Sequence, residues 1–456
     1  LKPSPVSSRL RGKPSRDQDI RRMNGGSADR KPPQQNRMEE TMPTRYGTGL
    51  AVAALAAGLG MTAPAWAQVK IAFIDPLSGA MAPIGEHGVK HFQYMIDKIN
   101  AKGGVNGQKM ELLTYDNKLS PQETVIAAQK AIDAGARILT LGNGSGAAAA
   151  MIDFVNKHND RNPGKEVVYL NYAAVDPAFT NDKCSYWHFR WDAHSDIKMQ
   201  ALTSYIKGKP SIKKVYLINQ DYSFGHAVRK AANEMLKAKR PDIQIVGDEL
   251  HPLAKITDFA PYIAKIKASG ADTVITGNWG SDIALLLKAS ADAGLQVDYY
   301  TYYGGGAGGP TAIKQTGLKD RVYQISEGHA NVDSPANYAW EEDFRKKSAG
   351  QGWWYPRVRN EMEMLALAMN EAKSNDPKVF AEKLRGMKYK LIYGTDAYMR
   401  AEDHQFFQDM YISVLTPVGA GMKFDEENTG WGWKTTAKIP MGNTDVATTC
   451  KMAKPS

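Results

Sequence analysis

From residue 69 onward, short β-branched runs alternate with longer stretches whose apolar residues recur every three or four positions. The first run, VKIAFI at 69–74, ends at Asp75-Pro76 and predicts a strand. A helix is expected over 89–100, a turn at the glycine cluster 103–107, and a second strand over 110–115. Helices at 122–134 and 147–158 then enclose a strand at 137–141, and a fourth strand follows at 167–170. Strand and helix alternating at this spacing describe βαβ units, hence a parallel sheet covered on both faces.

The rhythm restarts after a junction near 190–212. Strands are expected at 215–219, 243–247 and 273–276, with helices at 225–239, 259–269 and 281–293. Two successive units predict an α/β fold of two doubly wound parallel-sheet lobes joined by a hinge. From about 322 the pattern continues with helices at 361–372 and 377–386 and a strand at 408–415. This segment is expected to complete both lobes. The N-lobe would comprise 68–190 and about 322–395, and the C-lobe 191–321 and about 396–456.

The start of the chain obeys different rules. Residues 1–41 are rich in Arg, Lys, Pro, Ser and Gln and nearly lack apolar residues, so they read as a disordered leader outside the fold. Residues 42–67 have a lone Arg45, an Ala/Leu/Val/Gly run and a closing Ala65-Trp66-Ala67. That is the pattern of a secretory signal peptide cleaved near Ala67, which predicts a periplasmic product. The net charge of +10 is concentrated before residue 68, and residues 68–456 carry no basic stripe with interleaved aromatics. Nucleic-acid binding is excluded on that ground. Of the two cysteines, Cys184 and Cys450, an exported chain would make one disulfide between a mid-chain loop and the C-terminus; two separate thiols are the alternative.

Candidate chemistry lies in loops that come directly after strands. Gly142-Asn143-Gly144-Ser145-Gly146 precedes a helix, so small residues, exposed amides and the Ser145 hydroxyl suit a carboxylate. The string also fits G-x-G-x-x-A, but it succeeds the third strand, not the first, which argues against a dinucleotide. Asn171-Tyr172-Ala173-Ala174 lies after the neighbouring strand. Asp221-Tyr222-Ser223-Phe224, Gly277-Asn278-Trp279 and Tyr302-Tyr303-Gly304-Gly305-Gly306 occupy equivalent places in the second half. The expected ligand-binding set is Ile84, Gly144, Ser145, Ala173, Ala174, Tyr222, Phe224, Asn278, Trp279 and Tyr303. Neither a nucleophile elbow nor a zinc-protease motif is present. Asp403-His404 is the nearest approach to a catalytic dyad, and Glu361 and Glu363 fall on different helix faces. No enzyme, cofactor or metal is expected.

The order VKIAFIDPLSG, NAKGGVNGQKMEL, AAVDPAFT…CSYWHFR, QDYSFG, GNWGSD and MRAEDHQ closely resembles periplasmic substrate-binding proteins of the branched-chain amino acid (Leu/Ile/Val) ABC transporter family. The resemblance implies a monomer of two lobes, joined by three crossings, that closes on a small molecule and presents it to a permease and ATPase complex. It also implies that Ser145 and the backbone at Ala173 and Ala174 hold the ligand carboxylate, while aromatics at Phe224 and Trp279 cover it. In amino-acid binders of this family an acidic residue in the loop matching Tyr303-Gly304-Gly305 pairs the α-ammonium. Here that loop is TYYGGGAGG, without Asp or Glu. The departure points to a small carboxylate lacking an α-amino group, an aromatic acid stacked between Trp279, Phe224 and Tyr303. The alternatives are a branched-chain amino acid, with Asp176 or Asp282 supplying the charge, or a sensor subunit that presents ligand to a receptor.

Overall fold

A computed structural model describes residues 68–455, and the leader and signal-peptide expectations lie outside them. The first sheet is parallel, with strands β1 (Val69–Asp75), β2 (Met110–Asp116), β3 (Ile138–Leu141), β4 (Val168–Asn171) and β5 (His188–Arg190) in the order β2-β1-β3-β4-β5. Helices α1 (Ala82–Ala101), α2 (Pro121–Asp133) and α3 (Ser145–Arg161) connect the first four. β3 and β4 are buried at every residue, as two helix-covered faces require. The α1 helix starts seven residues before its expected position because Pro83 sits in its first turn, where a missing N–H costs nothing.

The segment expected to be only a junction holds helix α4 (Ser195–Lys207), capped by the His194 side chain, which accepts from the amides of Asp196 and Ile197. Its buried face mixes Ser195, Lys198 and Thr203 with apolar residues, which hides the helical period. The second parallel sheet contains β6 (Lys214–Gln220), β7 (Gln244–His251), β8 (Thr273–Thr276), β9 (Asp298–Thr301) and β10 (Val322–Ser326) in the order β7-β6-β8-β9-β10. Helices α5 (Ser223–Lys239), α6 (Ala260–Ser269), α7 (Ser281–Asp292) and α8 (Gly309–Thr316) connect its strands. This is the same order as the first sheet, so both lobes turn direction between their first and third strands. Ligands of open α/β sheets bind at that switch point, beyond the carboxyl ends of the strands.

The lobe boundaries differ from expectation in three places. β10 pairs with β9, so 322–326 belong to the C-lobe and the return crossing begins after Ser326. Helices α9 (Pro335–Lys347), α10 (Pro356–Ala372) and α11 (Pro377–Leu384) come next, and Tyr94 of α1 donates to Asp343 of α9 at 2.5 Å. A small antiparallel sheet, β11 (Lys388–Lys390), β12 (Asp396–Met399) and β13 (Phe406–Phe407), precedes the third crossing. β14 (Met410–Pro417) pairs antiparallel with β10, and β15 (Trp431–Ile439) antiparallel with β14, extending the C-lobe sheet. The tail returns to the N-lobe: Thr448 Oγ1 donates to the Thr180 carbonyl at 2.6 Å, and Cys450 is disulfide-bonded to Cys184. No helix among the described residues is long and apolar enough to cross a membrane.

Candidate ligand-binding site

The loop after β3 is shaped by a carboxylate beneath it. Asp75, fully buried at the end of β1, accepts from the amides of Gly142 (3.2 Å) and Asn143 (2.9 Å) and from the Tyr172 hydroxyl. Burial outweighs these hydrogen bonds and pushes its pKa up to about 7. Gly144 comes next with φ +90°, and a Cβ there would lie 2.8 Å from Leu119 Cδ1, so only glycine fits. The chain then enters α3 at Ser145. The first amides of this 17-residue helix have no carbonyl partner four residues earlier, and the dipole favours an anion beside the Ser145 hydroxyl.

These groups open onto a narrow space between the lobes. Its N-lobe wall includes Ile84, Gly144, Ser145, Ala173 and Ala174, and its C-lobe wall Tyr222, Phe224, Trp279 and Tyr303. The lobes touch around it: a Cβ on Gly280 (φ +62°) would sit 2.3 Å from Met81 Sδ across the cleft. Trp279 Nε1 donates to the Tyr222 hydroxyl at 2.8 Å, which fixes two aromatic walls against each other. The Phe224 ring centroid is 5.9 Å from that of Tyr222 and 6.0 Å from that of Tyr303.

Nine of the ten expected site residues therefore line one space. Asn278 does not; it is fully buried and turned away, its Nδ2 2.8 Å from His251 Nε2. The amides of Ala173 (3.2 Å) and Ala174 (2.7 Å) donate to Asn171 Oδ1, so these residues offer the space no free N–H. Asp403-His404 is no dyad: Asp403 pairs with Arg400, while His404 stacks on Phe189 with centroids 4.0 Å apart. Glu361 is buried at the Thr140 hydroxyl (3.1 Å), whereas Glu363 pairs with Arg359 (3.0 Å).

Sequence reasoning missed the strap 353–357, which adds Trp354, Tyr355 and Arg357 to the wall. Its aromatic triplet Trp353-Trp354-Tyr355 was visible, but it precedes a helix instead of succeeding a strand. Arg357 belongs to a buried group of four charges. Its Nε lies 3.3 Å from Asp192 and its Nη1 3.2 Å from Glu327, while Lys198 Nζ lies 2.8 Å and 2.6 Å from the same two carboxylates. Burial and the neighbouring Glu327 push the Asp192 carboxyl up against the pull of Arg357 and Lys198. Tyr303 donates to Asp192 at 3.0 Å and screens it from the space. No carboxylate lines the space among the described residues, and Arg357 is its one ionised side chain there. Asp282 is occupied by Gln220 Nε2 (2.8 Å) and the Ala254 amide (3.0 Å), and Asp176 caps the turn at Ala178 (2.9 Å).

Residues 68–420 match a family described as "Periplasmic binding protein". The chain is 32% identical over 383 residues to Leu/Ile/Val-binding protein homolog 4 of Brucella abortus (strain 2308), covering 81% of this chain and 88% of that protein. The closed crystal structure of a leucine-, isoleucine-, valine-, threonine- and alanine-binding protein from Brucella ovis superposes with a TM-score of 0.74 at 29% identity, covering 85% of this chain and 100% of that one. A solute-binding protein of an ABC transporter from R. palustris, in complex with benzoate, superposes at 0.71 over 84% of this chain and 100% of that chain, at 17% identity. That last likeness bears on fold alone. With two 2-1-3-4-5 sheets facing one cleft and matches of this extent, the chain belongs to the periplasmic binding protein family, as a relative of its Leu/Ile/Val-binding members.

Proposed function

We propose that this protein is the periplasmic solute-binding component of an ABC importer and that its ligand is an aromatic carboxylate without an α-amino group. The observation that carries this reading is the cleft wall, with an anion-seeking helix terminus at Ser145, six aromatic side chains around it and no carboxylate among the described lining residues to meet an ammonium. An ammonium buried there without a counter-charge would cost several kcal/mol. A flat ring between Phe224, Trp279, Tyr303 and Trp354 would instead gain contact on both faces. Binding favours the closed state because only closure brings Ser145 of one lobe and Trp279 of the other onto the same molecule. The closed protein would then be recognised by its permease and ATPase partners.

A second reading, binding of leucine, isoleucine or valine, is favoured by the 32% identity to a Leu/Ile/Val-binding homologue. It requires Asp192, one hydrogen bond behind Tyr303, to supply the counter-charge. Thermal unfolding with benzoate, 4-hydroxybenzoate and leucine separates the two. A ligand at 100 times its Kd adds about 2.7 kcal/mol of stability. Stabilisation by the aromatic acids alone is expected, and stabilisation by leucine alone overturns the proposal.

A further inference from the structure

The strap 352–355 lies in neither a strand nor a helix, and its backbone groups end on side chains of two neighbouring helices. The Gly352 carbonyl is 3.3 Å from His87 Nε2. The Trp353 amide donates to both carboxylate oxygens of Glu341 on α9, at 3.0 and 3.1 Å. The amides of Trp354 (3.0 Å) and Tyr355 (3.3 Å) then converge on one atom, Nε2 of the fully buried His91. His87 and His91 stand one turn apart on α1, whose first turn supplies the wall residue Ile84.

Two N–H donors aimed at one ring nitrogen leave no place for a proton there, so Nε2 carries its lone pair. The other nitrogen, Nδ1, is 2.8 Å from the His87 carbonyl and therefore holds the hydrogen. Burial and the neighbouring His87 oppose a positive charge and keep the imidazole well below its ordinary pKa of 6.5. The ring is held in place by Trp353 and Phe344, with centroids 4.1 and 4.8 Å away. Beyond this anchor, Trp354, Tyr355 and Arg357 enter the cleft wall. Trp354 also reaches the opposite lobe, where a Cβ on Gly306 would meet its ring at 2.7 Å. A side chain that does not line the cleft thus fixes the backbone of two that do.

We propose that His91 is a positioning residue of the ligand site: its neutral imidazole, with the hydrogen on Nδ1, accepts the amides of Trp354 and Tyr355 and so holds both side chains in the cleft wall. The role rests on the reading of the cleft as the binding site, and the choice of benzoate as probe rests on the aromatic-acid reading.

The test is calorimetric titration of the full protein with benzoate and with leucine, together with hydrogen exchange of the strap amides, on four forms. These are the unaltered protein, His91→Leu, His91→Gln and Tyr94→Phe. Gln keeps an acceptor oxygen near the place of Nε2; Tyr94→Phe removes a different bond between α1 and α9, the one to Asp343, and serves as the control for a merely structural loss. His91→Leu should weaken benzoate about tenfold or more and expose the amides of Trp354 and Tyr355 to exchange. His91→Gln should restore affinity to within about threefold, and Tyr94→Phe should lower the melting temperature while leaving affinity within about twofold. Unchanged affinity in His91→Leu, or an equal loss in all three variants, overturns the assignment. Where His91→Leu does not fold, nitrogen NMR of the imidazole in the unaltered protein decides: a proton on Nε2 overturns it. If leucine binds and benzoate does not, the aromatic-acid reading falls, and the same comparison with leucine settles the role of His91.

Discussion

Arg190 Nε donates to Gln405 Oε1 at 2.7 Å, although 215 residues separate them, and Gln405 Nε2 in turn donates to the Asp192 carbonyl at 2.9 Å. Arg190 ends β5 as the chain leaves the N-lobe, and Gln405 lies just before the third crossing. The two strings CSYWHFR and MRAEDHQ, far apart in sequence, are thus the two sides of one hinge clasp. Arg190 is fully buried and also serves the carbonyls of Ala174 (3.3 Å) and Asp176 (2.6 Å), so the clasp anchors the loop that forms the N-lobe wall.

Gln405→Leu should leave the Arg190 guanidinium short of one buried acceptor. The expected loss is about 1–3 kcal/mol in urea unfolding. Ligand affinity should fall less than stability does, because the side chain does not line the cleft.

Ser145→Ala should weaken aromatic-acid binding about tenfold or more, since a hydrogen bond to a charged group is worth roughly 1.5–3 kcal/mol. Trp279→Ala should weaken it by a comparable factor through lost ring contact. Titration calorimetry checks both, and unchanged affinity in the two variants would remove the cleft as the site.

Burial, with Asp75 as a neighbouring like charge, raises the Glu361 carboxyl to about 8 from an ordinary 4.5. The folded state therefore holds a proton that the unfolded chain releases, and stability declines as pH rises from about 4.5 towards 8. Asp75, raised to about 7, acts in the same sense. Glu361→Gln keeps an acceptor for Thr140 without ionising. Its melting temperature relative to the unaltered protein should therefore improve on going from pH 5 to pH 8.5, by roughly 2–4 °C per kcal/mol recovered.

Reduction of Cys184–Cys450, or Cys450→Ser, frees a tail that crosses back over the N-lobe. A bridge spanning 266 residues constrains the unfolded chain strongly, and a loss of about 2–4 kcal/mol is expected in chemical denaturation. Ligand affinity should be unchanged, since neither cysteine borders the cleft.

The loops after β3, β4, β6, β8 and β9 were legible because a doubly wound sheet puts every strand's carboxyl end on one side. Periodicity marks where each strand stops, so the loop residues could be named without coordinates. Asn278 fell outside this logic because position in a loop does not fix the direction of a side chain; its neighbour Trp279 faces the cleft while it turns to His251. Helix α4 escaped because Lys198 is buried in an ion cluster and interrupts the apolar period.

By itself, the sequence determined the two α/β lobes, the strand-end loops and the absence of an acid beside Tyr303, since each depends on local spacing or residue identity. Tertiary structure decided which distant segments meet. It brought the strap at Trp354 to Arg357 onto the wall and clasped Arg190 to Gln405. Those pairings join residues tens to hundreds of positions apart, and no local pattern encodes them because chain packing across the hinge fixes their geometry.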